Sequence, residues 1–406
     1  MDGFATKGYG LVRKTFERQL RRSSGGAAVC VYHRGEPVVD LWGGQRTDDA
    51  PWGHDTVAMC FSTTKGVVST AVHILAERGL IDYDEPVATY WPEFAANGKA
   101  GVTVRHVLTH SSGLHRIRSL VDTGERILDW EYMTDALAAA APAYEPGSRH
   151  GYHALTYGWL AGELVRRVSG VGIATFVDDE IARPLSCDGL FIGLPFEEQP
   201  RAATLEPVSL PRPSNDRIRH LEKRIGAGLG KMVSAMPGTV NTRRAINALA
   251  PRNVESALFG SEVMDASIPA ANGFFTARSL ARMYAMISGG GELDGARLLS
   301  PERVELMGEV QRTGADHVLV VPMHWRLGYH RVFTTRGSLP NAFGHFGFGG
   351  SGAWADPSRD LAVAFVCNRG SGTPVGDLRI MELGTAAVRA ADRVGSAGAT
   401  EVGHSP

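Results

Sequence analysis

FSTTKGVVSTAVHILAER, residues 61–78, is the stretch whose reading decides the fold. Val67, Val68, Ala71, Ile74 and Leu75 recur with helical spacing and Gly79 supplies a stop, so the stretch predicts a helix with Ser62 at its start. Lys65 lies one turn further along. Residues three apart share a helix face, so the Ser62 hydroxyl and the Lys65 amine can meet, and the positive end of the helix dipole favours an alkoxide at Ser62. That is an arrangement for an activated nucleophile. The plainer reading is an amphipathic helix with Ser62 as its cap and Lys65 in water. Lysine is scarce, however: among 42 basic side chains it stands only at Lys7, Lys14, Lys65, Lys99, Lys223 and Lys231, and only Lys65 has a serine three residues before it.

At 406 residues, 43% of them hydrophobic, the chain can bury a large core, in one elaborate domain or two. A formal net charge of −1 gives no field to gather nucleic acid or an anionic bilayer, so small molecules or neutral peptides are the natural partners. Residues 1–26 are broken by charges before an apolar signal-peptide core can form, and no run of about eighteen apolar residues occurs. The expectation is a soluble, cytoplasmic protein without an integral membrane segment. Cys30, Cys60, Cys187 and Cys367 are widely spaced, which suggests neither a disulfide framework nor a metal site. Cys60 reads as a small buried apolar residue rather than a second nucleophile. The preference for arginine over lysine suits a GC-rich bacterial genome.

Val12, Phe16 and Leu20 predict a short amphipathic helix, and residues 27–33 and 37–42 around Arg34-Gly35-Glu36 predict a β-hairpin. Residues 102–108 read as a helix capped by Thr103; His110, Ser111 and Ser112 after it read as a hydrogen-bonded loop rather than a catalytic pair. Tyr152 ends a polar loop just before a helix bearing Leu160, Leu164 and Val168 that Gly170 stops. Residues 195–267 read as a mobile, mainly helical excursion that covers a pocket or forms an interface. Residues 277–287 are again amphipathic, and strand-like segments follow at 326–333, 353–355 and 361–367, before a closing helix from about 380 to 394. Strands at both termini with helices between them imply an α+β fold: an antiparallel sheet built from the N- and C-terminal segments, flanked by helices, with a mainly helical region inserted. The expected division is a discontinuous sheet domain of residues 1–80 and 320–395, a helical domain of residues 81–319, and a flexible tail of residues 396–406.

Three features stand in order: Ser62-x-x-Lys65, Tyr152 before a helix, and His345-Phe346-Gly347 on a glycine-rich strand. In this order and at these distances the chain resembles the serine β-lactamase and penicillin-binding-protein superfamily, and within it the esterase-like branch of family VIII carboxylesterases. Residues 80–94, 107–114, 152–170, 273–290 and 344–356 all look like that branch. The resemblance implies a β-lactamase-like fold with Ser62 as the acylated nucleophile and Lys65 and Tyr152 as the proton-handling pair. It places His345, Phe346 and Gly347 on the opposite wall of the pocket, and the backbone N–H groups of Ser62 and Phe348 in the oxyanion hole. Trp354, with Phe346 and Phe348, is expected to line an apolar acyl pocket or to belong to the core. Arg149, His150 and His153 add positive charge that would favour a Tyr152 phenolate.

Two departures bear on the substrate. The family's second motif is usually Tyr-x-Asn or Ser-x-Asn, whereas here it is Tyr152-His153-Ala154; the third is usually Lys-Thr-Gly, whereas His345-Phe346-Gly347 offers a mostly neutral imidazole. Both weaken the grip on a β-lactam or peptide carboxylate, because a charge-assisted hydrogen bond is about twice as strong as a neutral one. Neutral esters lose nothing by this. The expected activity is a cofactor-independent serine carboxylesterase acting on small-molecule esters. The alternatives are a β-lactamase, D-alanyl peptidase or acyltransferase using the same site, and a non-catalytic binding protein with the same fold.

Overall fold

The computed structural model describes residues 1–205, 247–249, 251–370 and 377–402. Its centre is a seven-stranded antiparallel sheet. In chain order the strands are β1 (Asp2–Ala5), β2 (Ala27–His33), β3 (Glu36–Gly43), β4 (His330–Thr334), β5 (Gly337–Phe346), β6 (Gly352–Asp356) and β7 (Leu361–Cys367). They lie side by side in the order β1-β3-β2-β7-β6-β5-β4, so the two ends of the chain meet where β2 pairs with β7, Val31 opposite Val363. The principal helices are α1 (Gly10–Leu20), α2 (Thr64–Glu77), α3 (Val104–Leu108), α4 (Thr156–Ser169), α5 (Ala277–Ser288) and α6 (Leu378–Val402). This is the β-lactamase-like α+β arrangement. Among the described residues no helix is long and apolar enough to cross a membrane.

Side chains alternate across a strand, and here the alternation sorts them by size. On β7, Leu361, Val363 and Phe365 join a cluster with Phe16 of α1 and Leu383 of α6, whereas Ala362 and Ala364 face the other way, as do Ala353 and Ala355 of β6. These small residues let α5 and the elements beyond it approach the sheet closely. Several local readings of the sequence hold. Thr103 caps α3 by accepting the His106 N–H in a capping box, and Gly170 ends α4 with a left-handed φ of 80°.

Other readings need correction. The helix after Ser62 is not amphipathic: every residue from Thr64 to Ala76 is buried, so α2 is a central helix walled on all sides. Ser62 itself sits one turn earlier, in a 3-10 turn spanning Phe61–Thr63. The strand expected at residues 326–333 begins only at His330, because Arg326 N–H bonds back to Tyr329 O at 2.8 Å and makes a turn. The closing helix continues past residue 394 to Val402. Most of the excursion expected at residues 195–267 lies outside the described residues; its flanks hold a 3-10 turn, Phe196–Arg201, and a short helix, Val254–Phe259.

Candidate active site

Ser62 is partly exposed at the mouth of α2, and its position is set by two close approaches of backbone. Phe61 holds a φ of +44°, a left-handed conformation that costs a bulky residue on the order of 1–3 kcal/mol and persists only where its surroundings enforce it. Thr64 Oγ1 contributes to that enforcement, donating to Phe61 O at 2.5 Å and accepting Gly273 N–H at 2.9 Å. The end of β5 presses on the same turn. A Cβ on Gly347 would come 2.2 Å from Cys60 O, so only glycine lets the strand and the turn meet.

Three side chains converge here from distant parts of the chain. Lys65 Nζ lies 2.9 Å from Ser62 Oγ, and the Tyr152 hydroxyl donates to Ser62 Oγ at 2.7 Å. Lys65 is fully buried, and its amine also donates to Ala154 O at 2.7 Å and to Ala270 O at 2.9 Å. Burial with no carboxylate partner holds its pKa well below the usual lysine value of 10.5. A neutral amine has two N–H donors and one lone pair. With both carbonyls taking its donors, the neutral form would turn its lone pair toward the Ser62 hydroxyl.

Tyr152 is 2% exposed, and burial pushes its phenol well above the ordinary value. This reverses the expected phenolate. Arg149 is exposed, and His153 is committed elsewhere: it is held neutral by burial, Nδ1–H donating to Gly151 O at 2.7 Å while Nε2 accepts Leu114 N–H at 3.1 Å and lies 2.9 Å from Ser112 Oγ. His153 thus stitches the loop of residues 110–114 to the Tyr152 loop, while the next residue, Ala154, offers the site its carbonyl.

The third motif divides. His345 lies beside the site, its ring 6.3 Å from that of Tyr152; its Nδ1–H donates to Phe346 O at 3.1 Å, and Nε2 is buried with no hydrogen-bond partner among the described residues. Burial keeps this imidazole neutral, well below its usual pKa. The Phe346 and Trp354 side chains point to the opposite face of the sheet, into the cluster with α6, because they alternate with the site-facing positions of their strands. Trp354 belongs to the core and lines no acyl pocket. Phe348 does stay near Ser62: its ring meets Phe61 edge-on at 5.4 Å, and with Phe259, Leu205, Met59 and Asn368 it lines a small cavity beside the Ser62 turn.

Sequence reasoning missed two neighbours of Tyr152. Asp316, 1% exposed, accepts the Tyr152 backbone N–H at 3.1 Å, and the Trp325 indole stacks on the Tyr152 ring, centroids 5.6 Å apart and planes 6° from parallel. Neither lies in a periodic segment or a motif, so nothing in the order of residues marks them. Among the described residues no group of His, Cys, Asp or Glu side chains is placed to hold a metal ion.

Known proteins resemble the chain over most of its length. The model of the family described as Beta-lactamase matches residues 12–386. The chain is 42% identical over 355 residues to the esterase/beta-lactamase LipL of Mycobacterium tuberculosis, covering 86% of this chain and 78% of that one. Its fold superposes on a family VIII carboxylesterase with a TM-score of 0.82 at 33% identity, covering 96% and 99% of the two chains. A penicillin-binding protein homologue from Caulobacter crescentus gives 0.82 at 34% identity, covering 96% and 100%.

Proposed function

The chain belongs to the Beta-lactamase family, a hydrolase family, and from that premise we propose that it is a serine carboxylesterase that works through an acyl-enzyme on Ser62. The observation that carries the reading is the simultaneous approach to one hydroxyl of a buried amine, its pKa lowered, and a buried phenol, its pKa raised. In the first half-reaction Ser62 Oγ attacks the ester carbonyl carbon and its proton passes to the Lys65 lone pair. The tetrahedral oxyanion is met by the N–H groups of Ser62 and Phe348, each such donor being worth roughly 3 kcal/mol in the transition state. The intermediate then expels the alcohol oxygen, which takes the proton from Lys65 by way of the Tyr152 hydroxyl. Water attacks the acyl-enzyme in the second half-reaction and gives its proton to the same pair, which returns it to Ser62 Oγ as the acyl–oxygen bond breaks and the acid leaves.

The substrate reading rests on what faces the site. The rings of Phe61 and Phe348 meet edge-on at 5.4 Å beside the Ser62 turn and give the site an apolar edge that a neutral ester can share. A β-lactam or D-alanyl peptide brings a carboxylate, and here the third motif meets it with a neutral ring bearing a bare lone pair at Nε2. A neutral small-molecule ester suffers no such mismatch. Turnover of a p-nitrophenyl ester by wild type and Ser62→Ala tests the assignment: the variant is expected to lose on the order of 10⁴-fold in kcat or more. Equal rates would remove Ser62 from the mechanism, and covalent labelling of Ser62 by a fluorescent penicillin at rates matching ester turnover would favour the β-lactamase reading instead.

A further inference from the structure

Tyr152 lies in a loop, before the first turn of α4, and a phenol on a loop has no helix or strand to fix its aim. His110 and His153 hold the flanking residues of the loop, and one carboxylate reaches Tyr152 itself. Asp316 Oδ1 accepts the backbone N–H of Tyr152 at 3.1 Å, of Val318 at 2.8 Å and of Leu319 at 2.9 Å, while Oδ2 accepts Trp325 Nε1–H at 3.0 Å. Burial raises the pKa of this carboxyl and the four N–H donors oppose the rise, since each favours the ionised group. The indole so held is the one that lies parallel to the Tyr152 ring, and His110 packs against both rings, 4.2 Å from the indole and 5.1 Å from the phenol ring. Backbone and ring plane of Tyr152 therefore hang from the same side chain.

We propose that Asp316 is a positioning residue, whose carboxylate ties the Tyr152 main chain and the Trp325 indole into one frame that aims the Tyr152 hydroxyl at Ser62. The proposal rests on the esterase reading above. A hydrogen bond of 2.7 Å to a reacting oxygen tolerates little drift, and misplacing a catalytic group by about 1 Å can cost roughly 100-fold.

Asp316→Asn keeps an oxygen for the three backbone donors but sets an amide N–H₂ against the Trp325 N–H, donor against donor, and so pushes the indole off its plane. Trp325→Phe keeps a stacking face and removes that N–H. With a p-nitrophenyl ester, Asp316→Asn is expected to lower kcat roughly tenfold to 100-fold with KM within about twofold of wild type, and Trp325→Phe to stay within about threefold in both. The double variant separates aim from stability: it removes the clash, so kcat returns to within about threefold of Trp325→Phe, while the melting temperature stays as low as in Asp316→Asn because the buried amide still lacks an acceptor. An unchanged kcat in folded Asp316→Asn would overturn the proposal, as would a double variant whose kcat stays as low as its stability. Should Asp316→Asn not fold, Trp325→Leu decides: it leaves the carboxylate and its backbone bonds but removes the face, so a tenfold fall in kcat at constant KM supports the frame and a wild-type kcat overturns it. Ser62→Ala measured alongside keeps the two readings apart. If it retains the wild-type rate the esterase assignment has failed; if it is inactive while Asp316→Asn is not impaired, only the frame has.

Discussion

The two faces of the central sheet are built on different principles. One face, covered by α1 and α6, is closed by aliphatic and aromatic packing: Phe16, Val31, Val363, Phe365, Trp354 and Leu383 meet there. The other buries Lys65, Ser69, Thr70, His73, His110, His153 and His345, and holds most of them by specific hydrogen bonds. Ser69 Oγ lies 2.6 Å from Tyr157 OH, Thr70 Oγ1 2.9 Å from Tyr329 OH, and His73 lies 2.6 Å from Tyr83 OH through Nδ1 and donates to Leu327 O at 2.9 Å through Nε2. Apolar packing is non-directional and tolerates exchange at constant volume, whereas a buried polar group is costly unless its partner stays in place. The first face can change without consequence for chemistry. The second cannot.

Acid should break the second face first and most severely. Burial lowers the pKa of His73 to about 3 and of His330 to about 4, and holds His110, His153 and His345 well below the usual 6.5. The unfolded chain takes up protons near 6.5 and the folded one does not, so the stability these groups allow is complete above that pH and is lost as pH falls toward the folded values. Each histidine removes about 1.4 kcal/mol for every pH unit below 6.5. Thermal melts from about pH 7 to about pH 5 should show a steep fall in melting temperature; a flat profile would mean these rings are not buried neutral.

Next in size is Lys65→Met, which keeps the volume of the side chain and removes its lone pair. Ester kcat should drop roughly 10²- to 10⁴-fold with a native circular dichroism spectrum. In the wild type, the acid limb of kcat/KM reports protonation of this amine and should lie well below 10.5. A limb near 10.5 would place Lys65 in water.

Leu383→Ala probes the opposite face. It should cost about 2–5 kcal/mol of stability while leaving kcat per folded molecule within about twofold. A selective fall in kcat would mean that the two faces are coupled through the sheet. Smallest of all should be Trp354→Phe, with KM unchanged within about twofold and a stability loss of about 1 kcal/mol, read from ester kinetics and a urea titration. A large rise in KM would return Trp354 to the substrate pocket.

The same contrast governs what could be read from the sequence. α1 and β3 are legible because burial of one face imposes a period on their residues, as Val12 and Phe16 of α1 and the alternation along β3 show. β5 is not. Its sequence GSLPNAFGHF carries Pro340 and two glycines, and it becomes a strand because β4 and β6 pair with it on either side. Four-residue β1 is likewise a strand by virtue of β3. Within the site, Ser62 and Lys65 announce each other by local spacing, and Tyr152 comes into view by resemblance. Burial lowers the pKa of Lys65, whose amine is held by two backbone carbonyls, Ala154 and Ala270, while the Tyr152 main chain and ring rest on Asp316 and Trp325. A carbonyl carries no residue identity, and a contact across more than a hundred residues leaves no period, so these parts of the site exist only in the folded chain.

The most direct test of the account is intact-mass analysis after brief exposure to a phosphonate ester probe, followed by peptide mapping. One adduct per chain is expected on the peptide containing Ser62, absent from Ser62→Ala and slowed in Lys65→Met. An unmodified folded protein, or an adduct that persists in Ser62→Ala, would contradict the claim that an amine and a phenol activate this hydroxyl.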